Sequence, residues 1–135
     1  MNTQRVTKEL QDPIEEAKRY VANAKEILRE KAVKEDDYYN DSKYVCMAGE
    51  TAWKGCLIAL DSALNIKKKK DSRKSIDDYK AMAAKRNQTL LKNVVSGYNL
   101  LHLSMGYDGE KSYTIAKTGL QTAETIIDWC SKNKN

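Results

Sequence analysis

Phenylalanine is absent from this sequence, proline appears once, at Pro13, and histidine once, at His102. No alternation of apolar and polar residues lasts more than a few positions, so a sheet fold has little to build on. No internal repeat and no low-complexity tract is present beyond the four lysines Lys67 to Lys70, which excludes repeat architectures. The three cysteines, Cys46, Cys56 and Cys130, form no CxxC pair. The first two would stand roughly 15 Å apart on one helix, beyond disulfide reach. They read as small buried hydrophobes in a reducing compartment. One histidine without a Cys/His cluster excludes zinc sites of the usual ligand types; no metal and no cofactor is expected.

Long apolar runs are missing too. The longest stretch without charge, Asn93 to Tyr107, contains Asn, Ser, Gly and His and is shorter than the roughly 20 apolar residues of a spanning helix. Residues 1 to 12 are polar apart from Val6 and Leu10, unlike a signal peptide; the expectation is a cytoplasmic protein with no membrane association. Also absent are a P-loop, GxGxxG, GxSxG, HExxH and the paired ExxH motifs of a di-iron bundle. No catalytic residue is assigned.

What is present is one domain's worth of chain. The 135 residues are 41% apolar and 32% charged, too apolar for disorder and too polar for a membrane protein, and enough for one core. A single domain over residues 1–135 is expected, with its core at about 12–131. The net charge of +5 and a pI near 9.0 admit nucleic acid or an acidic protein as partner.

Helical periodicity accounts for nearly all of the chain. Asp12-Pro13-Ile14-Glu15 signals a capped helix start with Glu15 completing a capping box. Ile14, Ala17, Val21, Ala24 and Leu28 then form one stripe running to about Ala32. Lys34 to Asn40 reads as an acidic, tyrosine-bearing loop. A second helix, Ser42 to Leu64, is apolar or small around most of its circumference, with Glu50 and Lys54 placed as a solvated pair. Its small residues, Ala48, Gly49, Ala52, Gly55, Ala59 and Ala63, allow neighbouring axes to come close, with either the bundle itself or a partner subunit supplying the surface. Ser75 and Asp78 announce a third helix, about Ile76 to Met105, with a kink or break allowed at Lys85 to Gln88. Gly106 is placed to end it in a left-handed conformation. The fourth helix is expected over about Glu110 to Ser131. The fold class is all-α, an up-and-down antiparallel four-helix bundle.

Alternating helices would bring the loop after helix 1 and the turn after helix 3 to the same end. That end collects Tyr38, Tyr39, Asp41, Lys43, Tyr44, His102, Tyr107, Asp108, Lys111 and Tyr113, while the other collects Lys67 to Lys70, Arg73, Lys74, Lys132 and Lys134. Tyrosine with mixed charge suits a recognition surface; the ordinary alternative is that these rings only seal the bundle. Lys43, Tyr44, His102, Tyr107 and Asp108 are the candidate binding residues. His102 is the one side chain whose unperturbed pKa lies near neutrality, and its ordinary role beside Tyr98 and Met105 is structural. The lysine run reads first as a solvated loop, having no interleaved aromatics. Trp53 and Trp129 read as core, Trp53 with a second reading as an interface anchor.

The sequence DSKYVCMAGETAWKGCLIALDSAL on helix 2 and YNLLHLSMGYDG at the close of helix 3, followed by a long helix 4, resembles an uncharacterised family of small bacterial four-helix proteins. The resemblance covers about Ile14 to Trp129. The layout is also similar to the HEPN superfamily of helical bundles, which implies dimerisation and either toxin-type ribonuclease activity or a non-catalytic partnership with nucleotidyltransferases. Catalytic HEPN members carry an arginine, four to six intervening residues and a histidine. Counting back from His102, those positions hold Val95, Ser96 and Gly97, and the nearest upstream arginine is Arg86. The expectation is therefore a non-catalytic helical interaction module, a homodimer binding a protein or nucleotide-bearing partner. The alternative is a HEPN-like RNA-binding protein or ribonuclease using His102.

Overall fold

The computed structural model describes residues 12–66 and 74–133. The run Lys67 to Lys70, Arg73 and Lys134 lie outside them. Within the described residues the chain forms five α-helices and one two-residue hairpin; it is all-α in class, and no helix is long and apolar enough to cross a membrane.

Helix α1 spans Pro13–Ile27, and the Asp12 carboxylate accepts from the Ile14 and Glu15 amides at 3.1 and 3.4 Å. Glu15 completes no capping box. Its carboxylate pairs with Lys18 at 3.5 Å, one turn along the same exposed face. The helix continues as a π-helical turn, Leu28–Ala32, closed by the Val33 amide donating to the Leu28 carbonyl five residues back. Val33 stands at φ +56, a left-handed position that the branched Cβ of valine disfavours.

The loop expected at 34–40 is instead a small hairpin. Strands β1 (Lys34–Glu35) and β2 (Tyr38–Tyr39) pair antiparallel around Asp36 at φ +57. Two-residue strands are too short to leave an alternating pattern, which is why the sequence did not announce them. The hairpin is stitched to the chain entering the last helix: the Tyr39 amide donates to the Lys111 carbonyl at 2.8 Å and the Tyr113 amide to the Asp37 carbonyl at 2.9 Å. Segments distant in sequence thus share one end of the molecule.

Helix α2, Ser42–Leu64, starts at the Asp41 cap and stops at Asn65, φ +54. It is the central element, packed against α1, the last helix and the π-helical stretch described next. This burial explains its apolar girth within one chain. The small residues act as expected: a Cβ at Gly55 would lie 2.9 Å from the Ala17 carbonyl oxygen, and one at Gly49 2.5 Å from that of Leu101.

Helix α3, Ile76–Arg86, opens with the reciprocal Ser75–Asp78 box, its two bonds 2.8 and 3.2 Å long. Asn87 is extended (ψ +127) and caps α4, Gln88–Gly97, by accepting from the Leu90 amide at 2.9 Å. The break thus falls inside the Lys85 to Gln88 segment. From Tyr98 to Tyr107 the helix is π-helical, far longer than the single-turn bulges usual for this conformation. Gly106 lies inside this stretch against the Glu50 side chain; the left-handed residue that turns the chain is Gly109, φ +66. Helix α5, Tyr113–Lys132, is capped by Ser112 and begins three residues later than expected at Glu110, because Lys111 and Ser112 are taken up by the hairpin.

The core runs through all five helices, with Leu60, Leu90, Leu101, Met105 and Ile126 its largest fully buried side chains. Trp53 is buried and meets Tyr98 edge-on, 5.9 Å between centroids. Trp129 is half-buried beneath Arg86, 5.3 Å away. The cysteines are free thiols, and burial raises the pKa of Cys56 and takes Cys130 to about 12.

Candidate functional site

Three surface features bring polar chemistry together, and two of them are grooves. The first groove, about 450 Å³, lies between α2, α3 and the π-helical stretch and holds His102. His102 Nδ1 stands 2.9 Å from Glu50 Oε1, and its ring lies 5.2 Å from that of Tyr98. Glu50 therefore faces across to another helix, whereas the sequence spacing had put it with Lys54. At the far side of the same groove the Tyr79 hydroxyl donates to Asp61 at 2.7 Å, and Lys74 pairs with that carboxylate at 2.8 Å.

Tyr79 has a direct pH consequence. Burial first, then the hydrogen bond to Asp61 and the charges of Asp61 and Asp78, hold its phenol well above the ordinary 10.0. A raised folded-state pKa contributes stability fully present below the unfolded value and lost as pH climbs toward the folded one. Denaturation midpoints are therefore expected to hold up to about pH 10 and fall above it. Tyr79→Phe should flatten that alkaline fall while losing about 1 kcal/mol at neutral pH; urea melts of both proteins across pH 8 to 12 check it.

Arg86 does not join His102. Its guanidinium donates to the carbonyls of Ala63 and Asn133 at 3.3 and 3.4 Å, closing the C-terminal ends of α2 and α5. Along the helix it is on the order of 20 Å from His102.

The second feature is the hairpin end. Lys43 Nζ sits 4.9 Å over the Tyr44 ring, which is half-buried against the core. Tyr107 is 82% exposed, and Asp108 is exposed with its amide donating to the Leu103 carbonyl at 2.8 Å. The Ser42 hydroxyl donates to the Gly109 carbonyl at 2.8 Å, holding the Tyr107 turn to the start of α2. Lys43, Tyr44, Tyr107 and Asp108 share this end, while His102 faces the groove already described. The large apolar side chains exposed among the described residues are Val33 and Tyr38 at the hairpin, Tyr107 in the turn and Met47 on the second turn of α2.

The third feature was not picked out from the sequence. Between α1 and α5 runs a groove of about 600 Å³, with Leu28, Val33 and Leu120 as apolar lining, Tyr39 and Tyr113 at the hairpin, and Lys25, Arg29, Lys34 and Lys117 around it. The two tyrosine rings are 6.1 Å apart, and Lys34 Nζ lies 4.6 Å over that of Tyr113. Lys25 and Glu124 form an ion pair joining α1 to α5. Burial and the neighbouring Tyr113 raise the Tyr39 pKa, keeping its hydroxyl a neutral donor. A signal existed in the spacing: Lys25 and Arg29 flank Leu28 on one helix face, as Lys117 and Gln121 flank Leu120 on another. The partnering of those faces could not be read from either helix alone. Among the described residues no group of His, Cys, Asp and Glu is arranged to hold a metal ion.

Fold and surface define a small all-α domain, and the comparisons agree. The chain belongs to the family DUF5618, a domain of unknown function, whose model matches residues 12–132. A solved structure, a protein of unknown function from Dyadobacter fermentans, is similar at 49% identity and a TM-score of 0.85, covering 90% of this chain and 96% of its own. No curated protein matches the sequence.

Proposed function

We propose that this protein is a non-catalytic interaction module that docks through its hairpin end, first of all onto a second copy of itself. The supporting observation is the gathering of Val33, Tyr38, Met47 and Tyr107, exposed by 44, 59, 48 and 82%, on segments that the backbone bonds bring to one end. Scattered apolar side chains on a surface need no explanation, whereas a gathered set marks an interaction site. Tyrosine and methionine suit such a surface, giving contact area with adaptable shape. Lys43 and Tyr44 beside them supply the polar rim.

In this reading α3 and α4 count as one bent arm, so the chain is an up-and-down antiparallel four-helix bundle with a HEPN-like layout, working in the cytoplasm. A protein or nucleotide-bearing partner would compete with the second copy for the same end. Light scattering is the test. The wild type should give twice the 15.3 kDa chain mass across micromolar concentrations, and a Met47→Asp, Tyr107→Ser variant the single-chain mass with an unchanged thermal melt. A wild type that stays monomeric over that range removes the proposal.

A further inference from the structure

We infer that the groove between α1 and α5 is a binding site for a small amphipathic organic anion, a compact aromatic or apolar body carrying a phosphate, sulfonate or carboxylate group. The inference concerns the groove beside the hairpin end, which shares Val33 with the docking surface, and it is read by small-molecule binding rather than by chain mass. At about 600 Å³ the groove falls in the size range of small-molecule sites. Its lining has both halves that such a ligand needs. Leu28, Val33 and Leu120 offer the body an apolar surface, and cations surround it.

Charge decides which ligand fits. Lys25 is neutralised by Glu124, and Arg29 is only loosely engaged, 3.4 Å from the exposed Glu30. Lys34 and Lys117 have no carboxylate partner among the described residues. Two cations without a carboxylate are thus left facing one cavity, with Arg29 beside them held by Glu30, an arrangement that repels a cationic ligand and gives a neutral one no advantage. Tyr39 adds a neutral hydroxyl donor to the residues that line the groove.

The neighbouring crevice provides an internal comparison. Beyond the Lys25–Glu124 bridge, α1 and α5 enclose a further 450 Å³ lined by Val21 and Ile127, where Lys18 and Lys25 are balanced by Glu124 and Asp128. The bridge separates a cationic compartment from a neutral one, and the anion belongs to the first. Val33 marks the same place. Its left-handed backbone is a strained feature of the kind that collects at ligand clamps, and here it turns the chain so that β1 brings Lys34 to the rim.

The probe is 8-anilinonaphthalene-1-sulfonate, an aromatic body with one sulfonate, titrated by fluorescence into the full chain. N-phenyl-1-naphthylamine, the same body without the charge, is the companion probe. The expected result is saturable one-to-one binding of the sulfonate that weakens as salt rises, with the neutral probe weaker. Lys117→Glu and Lys34→Glu should each weaken binding about tenfold or more, in line with the loss of one charge-assisted contact. Lys18→Glu, in the neutral crevice, should leave it unchanged. All three positions are exposed, and a circular-dichroism melt on each variant confirms folding. Absent binding, equal binding of the neutral probe, or equal effects of Lys18→Glu and Lys117→Glu would each overturn the assignment.

Discussion

Gly49→Ala is expected to cost about 3 kcal/mol or more, and to lower the melting temperature by roughly 10 °C or more. The added Cβ would stand 2.5 Å from the Leu101 carbonyl oxygen, 2.6 Å from Met105 Cβ and 2.9 Å from the Gly106 amide nitrogen. Two of these are backbone atoms, and the third is fixed directly to one, so no side-chain rotation relieves the overlap. The axes of α2 and the π-helical stretch would have to separate along a seam in which Leu101 and Met105 are fully buried. The alanine would otherwise favour the helix by about 1 kcal/mol relative to glycine, so a net loss of this size isolates the packing cost. Urea unfolding of the two proteins reads it directly. A variant as stable as the wild type would mean that the two helices do not approach as described.

Leu101→Ala is the second large effect, expected to cost about 2 to 5 kcal/mol as a buried leucine emptied to a cavity. Leu101 is fully buried, and it joins three elements: its carbonyl lies against Gly49 of α2, and its Cδ2 would meet a Cβ at Gly119 of α5 at 2.9 Å. That second contact is with the end of a flexible side chain and differs in kind from the one at Gly49. Gly119→Ala alone should therefore change stability little, the helix gain offsetting the strain on Leu101. In the Leu101→Ala background the same change should stabilise, since the leucine no longer occupies the space. The double-mutant cycle is expected to show coupling of at least about 0.5 kcal/mol. Strict additivity would contradict the contact.

Local chemistry explains which parts of the fold were legible in the sequence. Asp12 and Ser75 are caps whose partners lie two or three residues away, and both helix starts could be read from those few residues. The small residues of α2 likewise announced close packing, because a glycine inside a helix needs a reason. The break at Asn87 falls where polar residues interrupt the apolar stripe. What stayed hidden depends on partners far away in the chain. The hairpin exists because Tyr39 and Tyr113 find carbonyls across the end of the molecule, and the left-handed turn falls at Gly109 because the π-helical stretch runs past Gly106.

The candidate site divides in the same way. Lys43, Tyr44, Tyr107 and Asp108 lie on segments that meet at one end, because the Ser42 hydroxyl holds the Gly109 carbonyl. His102 was grouped with them by the same topology, but its ring turns to Glu50 and Tyr98, a difference of helix face that topology alone does not convey. The α1/α5 groove required knowing which faces of two helices pair. Tyr39 and Tyr113 were already marked as residues of that end, and only the cations opposite them were missing from the picture.

The central claim is that the hairpin end is where a second copy docks, and amide hydrogen exchange followed by mass spectrometry at two protein concentrations tests it by location as well as by existence. On raising the concentration from well below to well above the dimer transition, protection should increase in segments covering 33–39, 43–47 and 105–112, and stay constant at the opposite end around Asn87 and Asp128. Exchange independent of concentration everywhere, or protection gained only at the opposite end, would contradict the account.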